Sequence, residues 1–225
     1  MSGAGPAPSV PPRGDRPLRI ALLEGIRREV GFDWHAWLLT DPVSEVGASP
    51  LADAPSLADL PRLIAAKYLT AVNRWTSLPS AAVSLRDATS GDLTISPQWS
   101  DVLRHYDIGD VASLVFRDNH GCWGWLDLWR TSTAGPFQPD ELAHLAAIVQ
   151  PITAGLRAAQ ARSFLGGDAA LHREPAVLML SPGLEVRAQT PAVEAYLRSL
   201  VPPDGDHRPV PAGAYNVAAQ LLAVE

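Results

Sequence analysis

An α+β fold, with a central antiparallel sheet and helices on both faces, follows from three features of this 225-residue sequence. The first is the stretch DVASLVFRDNHGCWGWLDLW, residues 110 to 129, where two β-branched and aromatic runs flank Asp118, Asn119, His120 and Gly121 and so read as a β-hairpin. The second is its alternation. With Arg117 opposite Cys122, Phe116 pairs with Trp123, Leu114 with Trp125 and Ala112 with Asp127 on one face, while Val115 meets Gly124 and Ser113 meets Leu126 on the other. Both faces are apolar, so both need cover. The third is the supply of amphipathic helices on either side of the hairpin in sequence.

In chain order, residues 1–14 carry too little apolar surface to offset the cost of ordering, and a disordered tail is expected over 1–15. Asp15 caps a helix whose Leu18, Leu22, Leu23, Ile26 and Val30 lie on one stripe, and Gly31 closes it. FDWHAWLL, residues 32–39, reads as a central strand beside the hairpin. Residues 40–55 read as a loop by their Pro, Ser, Asp and Gly content. Ser56 and Asp59 make a capping-box-like start to a helix reaching about Leu69, with Pro61 in its first turn. Residues 72–78 are irregular and 81–85 form a further strand. Ser96-Pro97 opens a helix bearing Trp99, Val102, Leu103 and Tyr106 at helical spacing, and these two helices are expected over one sheet face.

The longest helix has the best-marked start. Phe137 can staple onto Leu142 while Pro139 occupies the first helical position, and Asp140 and Glu141 meet the positive dipole end. Leu142, Leu145, Val149, Ile152, Leu156 and Ala159 then recur at steps of three and four, the spacing of a helix packed along another helix. That stripe covers the first helix and sheet of its own chain or, on the second reading, also extends a dimer seam, and Leu142, Leu145, Val149, Ile152 and Leu156 are the seam candidates. Residues 166–174 read as a linker. Beyond it come two short strands around Ser181-Pro182-Gly183, a helix after Thr190-Pro191 and a helical segment from Tyr215, a set too small for a complete core.

Composition narrows the function. A formal charge of −6 with one lysine, Lys67, gives no basic patch for nucleic acid, so no direct contact to it is expected. The sole cysteine, Cys122, rules out an intrachain disulfide and fits a reducing, cytoplasmic setting. The opening residues lack the apolar core of a signal peptide, and no run is long enough to cross a membrane.

No catalytic motif is present: no phosphate loop ending in Lys-Ser/Thr, no nucleophile elbow, no HExxH helix. No enzyme, cofactor or metal is therefore expected. His120 and Cys122 flank Gly121 and could be metal ligands or a Cys/His pair, but a turn histidine beside a strand cysteine ordinarily has only a structural role. The aromatic set carries more. Trp123, Trp125 and Trp129 share a strand face with Asp127, and Trp37, Trp75, Trp99 and Tyr106 come from neighbouring elements. A carboxylate among tryptophans can hold a cation, and such a layer can stack a planar ligand. The candidate ligand-binding residues are thus Trp37, Trp75, Trp99, Tyr106, Trp123, Trp125 and Asp127. The alternative is an aromatic core whose indole N–H groups find partners in Asp127 and elsewhere.

The order of elements, with the hairpin ending in GCWGWLDLWR and the long closing helix, resembles a GAF domain over about residues 16–165. VLMLSPGLEVRAQTPAVEAYL resembles the opening strands and helix of a PAS domain. Together FDWHAWLLTDP, KYLTAVNRW, DVASLVFRD, QTPAVEAYL and AYNVAAQLL resemble the sensory region of actinobacterial LuxR-type helix-turn-helix transcriptional regulators. The resemblance implies a GAF-like sheet with helices on both faces over 16–165, and an incomplete PAS-like αβ unit over 175–225. It implies a sensory, dimerising module that binds an unknown small molecule. In that family a helix-turn-helix follows, whereas this sequence stops inside the PAS-like unit, either as a sensor fragment or as a protein that works without its own reader. The residues that bind cyclic nucleotides in other GAF domains have no counterpart here, and Cys122 is not in a bilin-attachment context. A ligand-free GAF core that mediates protein contacts is the second expectation.

Overall fold

The computed structural model describes residues 15–56, 58–165, 176–200, 210 and 212–224. Of the expected tail only Asp15 is among them, and the expected linker lies outside them. The first helix, α1 (Asp15–Glu29), leads into β1 (Trp34–Thr40) and β2 (Gly47–Asp53); α2 (Leu60–Leu69), β3 (Ala82–Ser84), α3 (Leu85–Ala88) and α4 (Pro97–Asp101) follow. The hairpin strands are β4 (Ile108–Asp118) and β5 (Gly121–Thr131), and α5 (Pro139–Leu165) closes this part. The sheet order is β2-β1-β5-β4-β3, antiparallel throughout. An antiparallel sheet with helices on both faces is therefore the architecture, and β1 lies beside the hairpin as its apolar pattern requires.

The hairpin keeps Arg117 opposite Cys122, but the pairing then slips, so that Phe116 faces Gly124, Val115 faces Trp125, Leu114 faces Leu126 and Ser113 faces Asp127. Trp123 is the extra residue of a β-bulge. Because side chains alternate with period two, one inserted residue exchanges the faces of everything after it relative to the partner strand. The expected pairs of Phe116 with Trp123, Leu114 with Trp125 and Ala112 with Asp127 are corrected accordingly.

Residues 47–53 are a strand where a loop was expected. GASPLAD has little β-propensity and is mostly exposed, so its pairing comes from β1, and it lies at the sheet edge where Pro50 costs no ladder bond. The ladder breaks between Trp37 and Leu39. Arg19 of α1 fills that gap, its Nη1 donating to the Trp37 carbonyl at 3.2 Å and the Ser49 carbonyl at 2.9 Å. The helix expected through Tyr106 also divides: α4 ends at Asp101, Val102 leaves the helical region, and Leu103–Tyr106 form a 3-10 turn closed by Asp107 in the left-handed conformation.

One sheet face is covered by α1 and α5. Trp37, Leu39, Ala112, Leu114, Phe116, Leu126 and Leu128 meet Leu23, Ile26, Leu145, Val149, Ile152 and Leu156 there. Within the chain, Leu145, Val149, Ile152 and Leu156 of the candidate seam are buried against its own sheet, and Leu142 is half-buried. The reason is geometric. A stripe at three-and-four spacing fits a sheet as well as another helix, and the sheet was nearer. Glu141 closes the capping box by accepting from the Gln138 N–H at 2.7 Å and pairs with Arg130 at 2.6 Å.

The other face is covered by α2, α4 and the 3-10 turn Trp75–Ser77. Beyond the main sheet, β6 (Leu178–Leu180) and β7 (Val186–Gln189) pair as a two-stranded hairpin before α6 (Pro191–Leu200). The last helix, α7 (Ala212–Val224), packs on α2 and β2, although the sequence grouped it with the second unit. Its Ala219 enters the core around Trp125. Gly47 permits this approach, since a Cβ there would come within 2.7 Å of the Asn216 Oδ1.

Candidate functional site

The polar centre of the fold is an ion pair inside the second face. On α2, Leu60, Leu63, Ile64 and Lys67 share the apolar stripe that points at the sheet, so the single lysine of the chain occupies a core position. Its Nζ stands 3.2 Å from Asp127 Oδ2, and the two side chains are 2% and 1% exposed. Lys67 also donates to the Asn73 carbonyl at 3.1 Å and to Ser113 Oγ at 3.0 Å. Burial pulls the Lys67 ammonium below the usual lysine range, with Asp127 opposing the shift. Asp127 Oδ1 accepts from the Trp75 indole N–H at 3.1 Å. Oδ2 has the Lys67 ammonium as its partner at 3.2 Å.

Aromatic rings wall the pair on one side. Trp75 and Trp125 stack at 5.3 Å and 5° between planes, and Tyr68 meets both edge-on. Lys67 Nζ lies 5.3 Å from the Trp75 ring centroid, within cation–π range. The Tyr68 hydroxyl accepts from the Gly47 N–H at 3.0 Å, tying α2 to β2, and burial pushes its phenol pKa up. On the other side lies a cavity of about 30 Å³ bordered by Ala36, Leu38, Leu60, Leu63, Ile64 and Trp129 with Lys67, Trp75, Gln98 and Asp127. That is room on the order of one or two water molecules. Trp129 borders it, and its buried indole N–H has no hydrogen-bond partner.

The structure divides the sequence-based candidates. Trp75 and Asp127 border the cavity and Trp125 stacks behind Trp75. Trp99 and Tyr106 sit at the rim of the cluster around Trp129, where Trp99 donates to the Ile108 carbonyl at 2.7 Å and Tyr106 to Asp59. Trp37 and Trp123 are corrected to the opposite face. Trp37 stacks on Phe116 at 5.2 Å, and the bulge carries Trp123 toward α5, where its N–H meets Asp118 at 2.9 Å. The cation beside the carboxylate is the chain's own Lys67. Sequence reasoning missed it, although a lone lysine at Leu60/Leu63/Ile64 spacing on an apolar stripe was a visible signal.

His120 is exposed in the turn, whereas Cys122 is buried in the tryptophan face with its thiol pKa pushed up by burial. Among the described residues no three His, Cys, Asp or Glu side chains gather as a metal would need, and no helix is long and apolar enough to cross a membrane.

No family model and no curated protein matches the chain. Among solved structures, the chain is similar to the GAF domain/HD domain protein from Geobacter sulfurreducens, at 19% identity over 68% of this chain and 97% of that one, with a TM-score of 0.46. It is similar to GAF3 from a Synechocystis sp. protein in its photoproduct state, at 14% identity over 68% and 99% of the two chains, TM-score 0.47. It is also similar to a red/green cyanobacteriochrome in its red-light-absorbing state, at 13% identity over 68% and 98%, TM-score 0.44.

Proposed function

We propose that residues 16–165 act as a GAF-type sensory module that binds a small molecule between the sheet and α2. The observation that carries this reading is the buried Lys67–Asp127 pair at the wall of an otherwise apolar cavity. A buried ion pair is a poor source of stability, because desolvating two charges offsets their attraction and apolar replacements of similar volume are often as stable. Its presence at the border of a cavity is better accounted for by recognition. Binding would separate α2 from β2, and α7, which rests on both, would move with them.

The fuller reading is a sensory region of a LuxR-type transcriptional regulator, cytoplasmic and homodimeric, with no catalysis and no nucleic-acid contact from these residues. The sequence strings given above support it. A homodimer would use the outward side of α5, where Ala143, Ala147, Ala154 and Ala158 are exposed, since the leucine stripe is occupied within the chain. Native mass spectrometry of freshly purified protein tests both points: a dimer carrying a small-molecule adduct is expected, and a bare monomer overturns them. The small size of the cavity favours a second reading, a ligand-free module for protein contacts. A library that raises the melting temperature with no compound would leave that reading standing.

A further inference from the structure

We propose that the groove between α1 and the β1–β2 edge of the sheet binds a small primary amine as its ammonium ion. The ammonium sits among Glu24, Asp53 and His35, and an aliphatic tail lies on Ile20, Leu23 and Leu51. This site is on the face of the sheet opposite the Lys67–Asp127 pair and goes beyond the function proposed above.

Secondary structure brings these groups together. On α1, Ile20, Leu23, Glu24 and Arg27 fall at steps of three and four, so they share one side of the helix, and that side overhangs the sheet edge. On the sheet, His35 is the direct cross-strand partner of Asp53, and Leu51 stands on the same face of β2 as Asp53, opposite Trp37. Together they border a cavity of about 210 Å³, several times the roughly 30 Å³ share of one water molecule.

His35 makes the groove a site. Two exposed carboxylates alone are ordinarily satisfied by water and specify nothing. His35, however, is only 9% exposed, and its Nδ1 is sealed off without a hydrogen-bond partner. Nε2, at the distal edge of the ring, is engaged by no hydrogen bond among the described residues either, and it is the nitrogen left to meet a molecule in the cavity. A buried imidazole in this state forgoes bonds that water would give it, and a ligand restores one.

The ligand's chemistry follows from what these groups offer. Ionised Glu24 and Asp53 accept only. Burial holds the His35 imidazole below its ordinary pKa, so it is neutral at pH 7, and with its proton on Nδ1 it offers the Nε2 lone pair. An ammonium brings three donors and no acceptor, which matches three acceptors. The charges agree. Arg27, the one cation bordering the cavity, already lies 4.4 Å from the Phe32 ring centroid and donates to the Asp33 carbonyl at 3.3 Å. Among the described residues neither carboxylate has a hydrogen bond or an ion pair, and an anionic ligand would meet two like charges. The remaining wall is aliphatic, and Ile20, 39% exposed, gains cover from a hydrocarbon tail.

The test titrates four probes into the full chain at neutral pH, followed by the NMR resonances of the His35 ring: 3-methylbutylammonium, 3-methyl-1-butanol, 3-methylbutanoate and methylammonium. Saturable movement by 3-methylbutylammonium is expected, with the alcohol at least about fivefold weaker and the anion inactive. Methylammonium, which lacks the tail, should be at least about tenfold weaker. Asp53→Asn and Glu24→Gln, both at exposed positions that tolerate change, should each weaken 3-methylbutylammonium at least about threefold. Asp87→Asn removes the same charge beside β3, at the far edge of the sheet, and should change binding by less than about twofold. Equal binding of the alcohol, tighter binding of the anion, or an equal loss from Asp87→Asn overturns the ammonium site. Failure of every probe to move the His35 resonances up to solubility overturns it as well. The Lys67–Asp127 cavity, on the other face, is untouched by any of these outcomes.

Discussion

The two faces of one sheet are built to different standards. Toward α1 and α5, aliphatic and aromatic residues interdigitate, with Arg19 of α1 and His35 of β1 buried among them. Toward α2, α4 and α7, the same strands present Ser113, Asp127 and stacked tryptophans and bury a lysine beside a cavity. Between its two irregularities, near Ile108 and at Trp123, the alternation of β4 and β5 serves both sides. What differs is the residue at each inward position of the hairpin: on the second face Asp127 is paired with a buried lysine beside a cavity, and that pair marks this side as one with something to recognise.

Substitution at the two faces should expose this difference, beginning with the largest effect. Lys67→Ala leaves Asp127 buried without its cation and should cost about 3–5 kcal/mol in urea unfolding. The double variant Lys67→Met/Asp127→Leu should regain most of that loss, to within about 1–2 kcal/mol of wild type, because an apolar pair needs no desolvation. On the opposite face, Leu145→Ala or Leu156→Ala should cost about 2–5 kcal/mol, with no second-site change at a neighbouring charge able to restore it. A double variant no more stable than Lys67→Ala would show that the pair is a structural necessity, and the contrast between the faces would fail.

Gly47→Ala probes how firmly α7 closes the second face. The added methyl would stand 2.7 Å from Asn216 Oδ1 and 2.8 Å from Leu38 Cδ2, so a loss of about 1–3 kcal/mol is expected. Amide hydrogen exchange should rise in α7 and stay unchanged in α5. Acceleration in both helices would mean that the faces are not independent.

The smallest effect is in pH. Burial holds the His35 pKa below its ordinary value, with Asp53 opposing the shift and Arg27 adding to it. The unfolded chain then takes up this proton more readily than the folded one, so stability is full above about pH 6.5 and falls as pH drops through the histidine range. His35→Phe should flatten that slope in thermal unfolding between pH 7 and pH 5. Glu141, whose pKa its Arg130 hydrogen bonds lower, acts further down. Its contribution is present above the ordinary carboxylate range and disappears only as the pH falls below about 4. A His35→Phe protein with an unaltered slope would remove His35 from this account.

Much of the frame was legible because it depends on local periodicity. The stripe from Leu18 to Val30 forms α1, the aromatic run after Phe32 forms β1 beside the hairpin, and the Phe137-to-Leu142 signals open α5. The site was less so. Trp75, Trp125 and Asp127 were found by composition, yet Trp37 and Trp123 belong to the far face, Trp123 because a bulge turns it there and Trp37 because β1 sets it opposite Leu126.

The sequence by itself determined that a two-faced apolar hairpin needs cover on both sides, and which segments could turn into helices to supply it. Those are consequences of spacing within a few residues. Only the tertiary structure decided that GASPLAD becomes an edge strand, that the α5 stripe lies on its own sheet, that α7 rests on α2 and β2, and that Lys67 meets Asp127. Each of these joins residues far apart in the chain, and periodicity can say that a surface must be buried without saying against what.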